Sequence, residues 1–282
     1  MRLQLNQPEN FAVEVRRIGE DKNPVIIVDN VLANALEVRE FALGSRFSAG
    51  HEGDYYPGYM SACSLPGMTQ LTRWVAEFAW RNVYQLEDAP FLDLKEVASS
   101  SFFAAFAPRM DGSFINVHVD SHSWLAVVLY LSPPAIESGT AFWRNKESAL
   151  QSFIGGEDSL LGIQKVEALF GVNILDRLKQ AYAMDPVVSM NEVRERLFAS
   201  KKVSPPFSAE SCDVWERLDH VSVKFNRMVV YPTWQFHSVA YPNYLPPKHL
   251  RDARLTLNTF VKYPLRKPES GLKIAAVEGI EL

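Results

Sequence analysis

The clearest pattern in the first third of the chain is a switch from strand-like to helix-like spacing. Pro24-Val-Ile-Ile-Val-Asp29 is an unbroken apolar run between polar ends, which predicts a short buried strand. Ala33 to Leu43 follows with helical spacing, placing Leu36, Val38, Phe41 and Ala42 near one face and Glu37 and Arg39 off it. His51 to Tyr59, rich in Gly, Tyr and Asp, reads as a loop. In Thr69 to Tyr84, residues Leu71, Trp74, Val75 and Phe78 recur at i, i+3, i+4 and i+7, as on a helix that covers a core.

Beyond residue 95 the pattern becomes that of strands. Val97 to Ala107 is rich in Ser, Phe and Ala and has no helical polar face, and Asp111-Gly112 marks a turn. Phe114-Ile-Asn-Val-His-Val-Asp120 alternates with period two. Ser123 to Ser132 is continuous enough to be a strand buried on both faces, and Pro133-Pro134 stops it. Gly139 to Trp143 is a further short strand. Residues 144–220 interrupt the series, with helices expected over Ser159–Tyr182, Met190–Ala199 and Asp213–Leu218. Strands resume at Val221–Phe225, Arg227–Tyr231, Phe236–Ala240 and Ala253–Val261, and the tail from Pro264 is polar. Short strands separated by turns predict a sandwich or barrel, hence an α+β protein with a mainly β core.

Composition narrows the function classes. The 282 residues suffice for one large domain, and a formal net charge of −4 with no long basic run excludes nucleic acid as the expected partner. Two cysteines, Cys63 and Cys212, lie too far apart in sequence for a C-x-x-C site. The N-terminal residues lack the apolar core of a secretory signal, and no apolar stretch reaches the roughly 18–20 residues of a membrane span. A cytoplasmic location is the expectation.

The candidate chemistry begins at His118-Val-Asp120. On a strand, residues i and i+2 share a face, so an imidazole and a carboxylate converge there without a special loop. His237, in Trp234-Gln-Phe-His-Ser-Val, is the candidate third ligand. Two histidines and a carboxylate form the facial triad of non-haem Fe(II) oxygenases, which leaves coordination positions open. On the last predicted strand, Arg254, Thr256 and Asn258 share one face. A buried guanidinium needs an anionic partner, and its planar fork suits a carboxylate. Thr256 adds a hydroxyl donor beside it.

In order and approximate spacing, His118-Val-Asp120, Gly139-Thr-Ala-Phe142, His237 and Arg254-Leu-Thr256 resemble the Fe(II)- and 2-oxoglutarate-dependent dioxygenases. The N-terminal strand and helices are similar to those flanking the core of prolyl- and phytanoyl-hydroxylase-like members. The resemblance implies a double-stranded β-helix (a jelly-roll, cupin-like fold) over residues 97–262. Residues 1–95 would flank it and 144–220 would be a helical insertion, all in a single catalytic domain. It also implies Fe(II) on His118, Asp120 and His237. Arg254 and Thr256 would hold the distal carboxylate of 2-oxoglutarate, and O₂ would drive decarboxylation to succinate with oxidation, usually hydroxylation, of a substrate. Within the same pocket, Tyr130 is a candidate cosubstrate contact, and Arg251 is the alternative to Arg254.

Other residues carry less. His122 would share the ligand face if its strand continued. His51, His220 and His249 read as surface residues, Asn226-Arg227 as a turn, and Arg144 as solvated. Tyr55-Tyr56-Pro57-Gly58-Tyr59 is a candidate substrate cover. Two other functions compete: a cupin-like metal enzyme that does not use 2-oxoglutarate, and a non-catalytic metal-binding module. The substrate, whether a small molecule or a protein side chain, is not legible.

Overall fold

The computed structural model describes residues 1–49, 58–85, 101–106, 117–120, 123–132, 136–153, 167, 176, 211–241 and 247–262. The apolar run at 123–132 yields a strand, Leu125–Tyr130, in the interior of a sheet. In chain order the strands are β1 (Ala12–Ile18), β2 (Asn23–Asp29), β3 (Ser48–Ala49), β4 (Gly58–Cys63), β5 (Ser101–Phe106), β6 (Leu125–Tyr130), β7 (Gly139–Asn145), β8 (Trp215–Ser222), β9 (Arg227–Pro232), β10 (His237–Ala240) and β11 (Arg254–Val261). Eight of them form one antiparallel sheet in the order β1-β2-β9-β6-β11-β5-β4-β3. A smaller antiparallel sheet has the order β10-β7-β8.

Alternation along these strands sorts the side chains onto two faces of the large sheet. Ile26, Val28, Val127, Leu129, Met228, Val230, Leu255 and Leu257 join a core cluster with Val38 and Ala42 of helix α1 (Ala35–Leu43) and Leu71 and Val75 of helix α2 (Met68–Phe78). The opposite face contributes Val25, Ile27, Ala126, Tyr130, Val229 and Tyr231 to a second cluster with Phe142 and Val221 of the smaller sheet. Cover on both sides is why β6 reads as an uninterrupted apolar run.

Several sequence expectations are corrected. The buried face of α1 is Ala35, Val38 and Ala42, while Leu36 and Phe41 are 68% and 44% exposed. Gly58 and Tyr59 belong to β4 rather than a loop. Residues 117–120 make a single bridge, His118 to His237, rather than a ladder strand. Asp213–Leu218 is not helical: Trp215 begins β8, which pairs with β7 around a register shift at Phe142/Trp143. β7 and β8 therefore occupy both ends of the stretch expected as an insertion, and Ser152 of the same stretch bridges to Gln235. Within it, Glu167 and Asp176 are helical, and the rest of the two longer helices expected there lies outside the described residues.

The N-terminal hairpin joins the large sheet, since β2 pairs with both β1 and β9. Its junction is fixed by the Arg227 guanidinium, whose Nε and Nη2 donate to the two oxygens of Asp29 at 2.6 and 3.0 Å. Asn226, at φ +62°, makes the turn read from sequence, with its amide bonded to both the N–H and the C=O of Leu32 at 2.9 Å. Among the described residues no helix is long and apolar enough to cross a membrane.

Candidate metal centre

One short segment, Pro232–His237, organises all three candidate ligands. His237 opens β10, and its N–H and C=O exchange hydrogen bonds with His118 at 2.9 and 3.0 Å. The Asp120 N–H donates to the Thr233 carbonyl at 3.0 Å. Although 117–120 is not a ladder strand, this pairing keeps it extended beside β10, so the i, i+2 convergence expected for His118 and Asp120 still holds.

The side chains meet. One donor atom from each of His118, Asp120 and His237 lies within 4.8 Å of the others. Asp120 Oδ2 is 3.3 Å from His237 Nε2, and Asp120 Oδ1 is 3.9 Å from His118 Nε2. His237 is buried, whereas His118 and Asp120 are partly open. Burial alone would push the Asp120 carboxyl up, but the imidazoles of His237 and His118 outweigh it and hold the group below its usual range. Tyr231 stacks at a tilt on His237, ring centroids 4.6 Å apart. Burial first, and then the negative charge of Asp120, raises its phenol well above the usual value, so it stays neutral.

Arg254, Thr256 and Tyr130 lie on the inter-sheet face of the large sheet. Thr256 stands directly opposite Tyr130 in the β11–β6 pairing, and the Arg254 guanidinium carbon sits 5.3 Å from the centre of the Tyr130 ring. Arg254 is 3% exposed. Its Nη2 donates to the Gly139 carbonyl at 3.4 Å, its Nε is buried with no hydrogen-bond acceptor, and no carboxylate among the described residues pairs with it. Gly139 itself is held to glycine by close approach, since a Cβ there would stand 2.2 Å from His220 Nε2 and 2.4 Å from the Val221 carbonyl oxygen. Arg251, the sequence alternative, is exposed in a short 3₁₀ turn. The Tyr130 hydroxyl is engaged with Thr140 Oγ1 at 2.7 Å, and burial raises its phenol above the ordinary range.

The remaining expectations divide. Arg144 is not simply solvated: its Nε donates to Glu216 at 2.8 Å and its Nη1 to Glu20 at 2.9 Å. His249 is exposed, but His220 is half-buried, with Nε2 enclosed and unpartnered. His51, His122 and Tyr55-Tyr56-Pro57 lie outside the described residues. Sequence reasoning missed Tyr231 and Gln235. Gln235 has a legible signal, because it stands two residues before His237 in the same motif.

Comparison with known proteins adds a family and little else. No curated protein matches the chain. Among solved structures, a non-heme alpha ketoglutarate dependent carbocyclase, SnoK from nogalamycin biosynthesis, is similar at a TM-score of 0.40 and 12% identity, over 84% of this chain and 79% of that one. A likeness that slight carries no functional weight. The model of a family of unknown function (DUF6445) matches residues 9–159 and 179–261, and the chain belongs to that family.

Proposed function

We propose that the protein is an Fe(II)- and 2-oxoglutarate-dependent oxygenase. The observation that carries this reading is the pairing of two features in one molecule: a His-Asp-His donor set closed to within 4.8 Å, and a buried arginine with no carboxylate partner among the described residues. Two imidazole nitrogens and one carboxylate oxygen are the donors Fe(II) takes in a facial triad. The enclosed Nε of Arg254 is a donor waiting for an acceptor, and a dicarboxylate supplies one. The sequence resemblance over residues 97–262 supports the same reading, with the paired sheets as the two halves of a double-stranded β-helix within a single catalytic domain.

In this reading His118, Asp120 and His237 hold the iron, and Arg254 with Thr256 takes the distal carboxylate of 2-oxoglutarate. With O₂, the bound iron and cosubstrate supply an oxidative decarboxylation to succinate and CO₂ coupled to oxidation of a second substrate. The chain's own groups do the positioning. The Tyr130 ring lies beside the guanidinium and its hydroxyl is bonded to Thr140, so Tyr130 orients Arg254 within the cosubstrate pocket. Tyr231 walls one side of His237 as a neutral phenol.

Anaerobic calorimetric titration tests the reading. Protein loaded with Fe(II) should bind 2-oxoglutarate, and Asp120→Ala should abolish metal retention. Absence of any binding heat with the wild-type protein would exclude a 2-oxoglutarate enzyme.

A further inference from the structure

Given the metal centre proposed above, we infer that Gln235, clamped by Asn23 of the N-terminal hairpin, is the positioning residue that sets the His237 imidazole. His237 Nδ1 lies 2.9 Å from the Gln235 carbonyl oxygen. A carbonyl only accepts, so Nδ1 carries a proton, and Nε2 is the nitrogen turned toward Asp120, 3.3 Å from its Oδ2.

That carbonyl is fixed from its own side chain. Gln235 is fully buried, and one end of its amide faces three main-chain carbonyls: Gln151 at 3.0 Å, Phe236 at 3.2 Å and Trp143 at 3.4 Å. Three acceptors around one atom make it the nitrogen, which leaves Oε1 to accept from Asn23 Nδ2 at 2.9 Å. Asn23, 2% exposed, also donates to Ser152 Oγ at 2.8 Å and accepts from Trp234 Nε1 at 3.2 Å. Ser152 in turn donates to Asp21 at 2.8 Å. A chain of polar groups thus runs from Asp21 through Ser152 and Asn23 to Gln235 and ends at a metal-ligand imidazole. Each link is matched donor to acceptor, and a network of this kind holds one geometry against alternatives. An apolar core would pack the same hairpin without controlling an imidazole tautomer.

The test uses two isosteric variants in the full chain, Gln235→Glu and Asn23→Asp, each of which replaces a donating amide by a carboxylate. The core variant Ile27→Ala on β2 serves as a control for general destabilisation. Long-range ¹H–¹⁵N correlation of histidine-labelled protein, with His237 identified by its loss in His237→Gln, reads the protonation of Nδ1 without any metal. Competition titration reads the Kd for Co(II). Wild type and Ile27→Ala should show Nδ1 fully protonated and the same Kd. Gln235→Glu and Asn23→Asp should show Nδ1 only partly protonated and a Kd raised about 10–100-fold. Asn23→Asp carries the test if Gln235→Glu does not fold. Wild-type tautomer and wild-type Kd in Asn23→Asp would overturn the inference. A wild type with the Nδ1-protonated form that binds no Co(II) would instead overturn the metal reading, and with it the role given to Gln235.

Discussion

The two faces of the large sheet are built from the same strands and differ in almost every other respect. On β11, Leu255 and Leu257 point into the cluster that includes helices α1 and α2, while Arg254 and Thr256 point between the sheets. On β6, Val127 and Leu129 match the first pair and Tyr130 the second. Both faces are buried, so exposure does not separate them. The difference is whether the buried groups are satisfied by packing alone. The helix-side residues need only neighbours of the right shape, whereas Arg254 brings a charge that nothing among the described residues neutralises. Under the reading proposed above, a carboxylate of 2-oxoglutarate would complete it.

Substitutions on the two faces of β11, and at Tyr130 of β6, should make this contrast quantitative. The largest effect on stability is expected at Leu257→Ala, which leaves a cavity in the helix-side core and lowers unfolding free energy by about 2–5 kcal/mol in denaturant titration. Arg254 on the other face should behave oppositely. Arg254→Met removes a buried charge that no carboxylate among the described residues pairs, so the protein without ligands should unfold at the same temperature or higher. The affinity for 2-oxoglutarate should fall at least tenfold, as loss of a hydrogen bond to a charged group costs about 1.5–3 kcal/mol. Marked destabilisation of the ligand-free Arg254→Met protein would mean that Arg254 is a structural residue. Tyr130→Phe should cost about 1 kcal/mol by stranding Thr140 Oγ1, and should weaken 2-oxoglutarate less than Arg254→Met does.

The smallest effect should come from His220. Burial first, and the Arg217 charge second, hold its imidazole below the ordinary value of 6.5. A base that is harder to protonate when folded binds protons preferentially in the unfolded chain. Its contribution therefore favours the fold above the ordinary histidine range and is lost as pH falls through about 6.5. Thermal midpoints measured across that range should decline toward acid in the wild type, and less steeply in His220→Asn.

How much of this was legible depends on the distance over which each decision was made. Period-two alternation at Arg254–Val261 and the double-faced burial of Leu125–Tyr130 were readable because the pattern lies within the strand. The i, i+2 convergence of His118 and Asp120 was readable for the same reason, although the residues bridge to β10 instead of forming a strand of their own. Asp213–Leu218 was misread as helix because Trp215-Glu-Arg-Leu has no strict alternation, and its β form comes from pairing with β7, some seventy residues earlier. In α1, the sequence offered large apolar residues, Leu36 and Phe41. The packing buries Val38 and Ala42, as the spacing indicates, but takes Ala35 in place of Leu36 and Phe41.

By itself, then, the sequence determined the strands whose apolar periodicity is internal, the order of His118, Asp120, His237 and Arg254 along the chain, and the polar character of one face of β11. Only the tertiary structure decided which distant groups meet. It joined the N-terminal hairpin to β9 within the large sheet and delivered Asn23 to Gln235 across 212 positions of sequence. It also placed the Arg254 guanidinium over Tyr130 with its Nε unanswered. Local patterns record how a segment buries itself, while a site is an agreement between segments, and no one segment contains it.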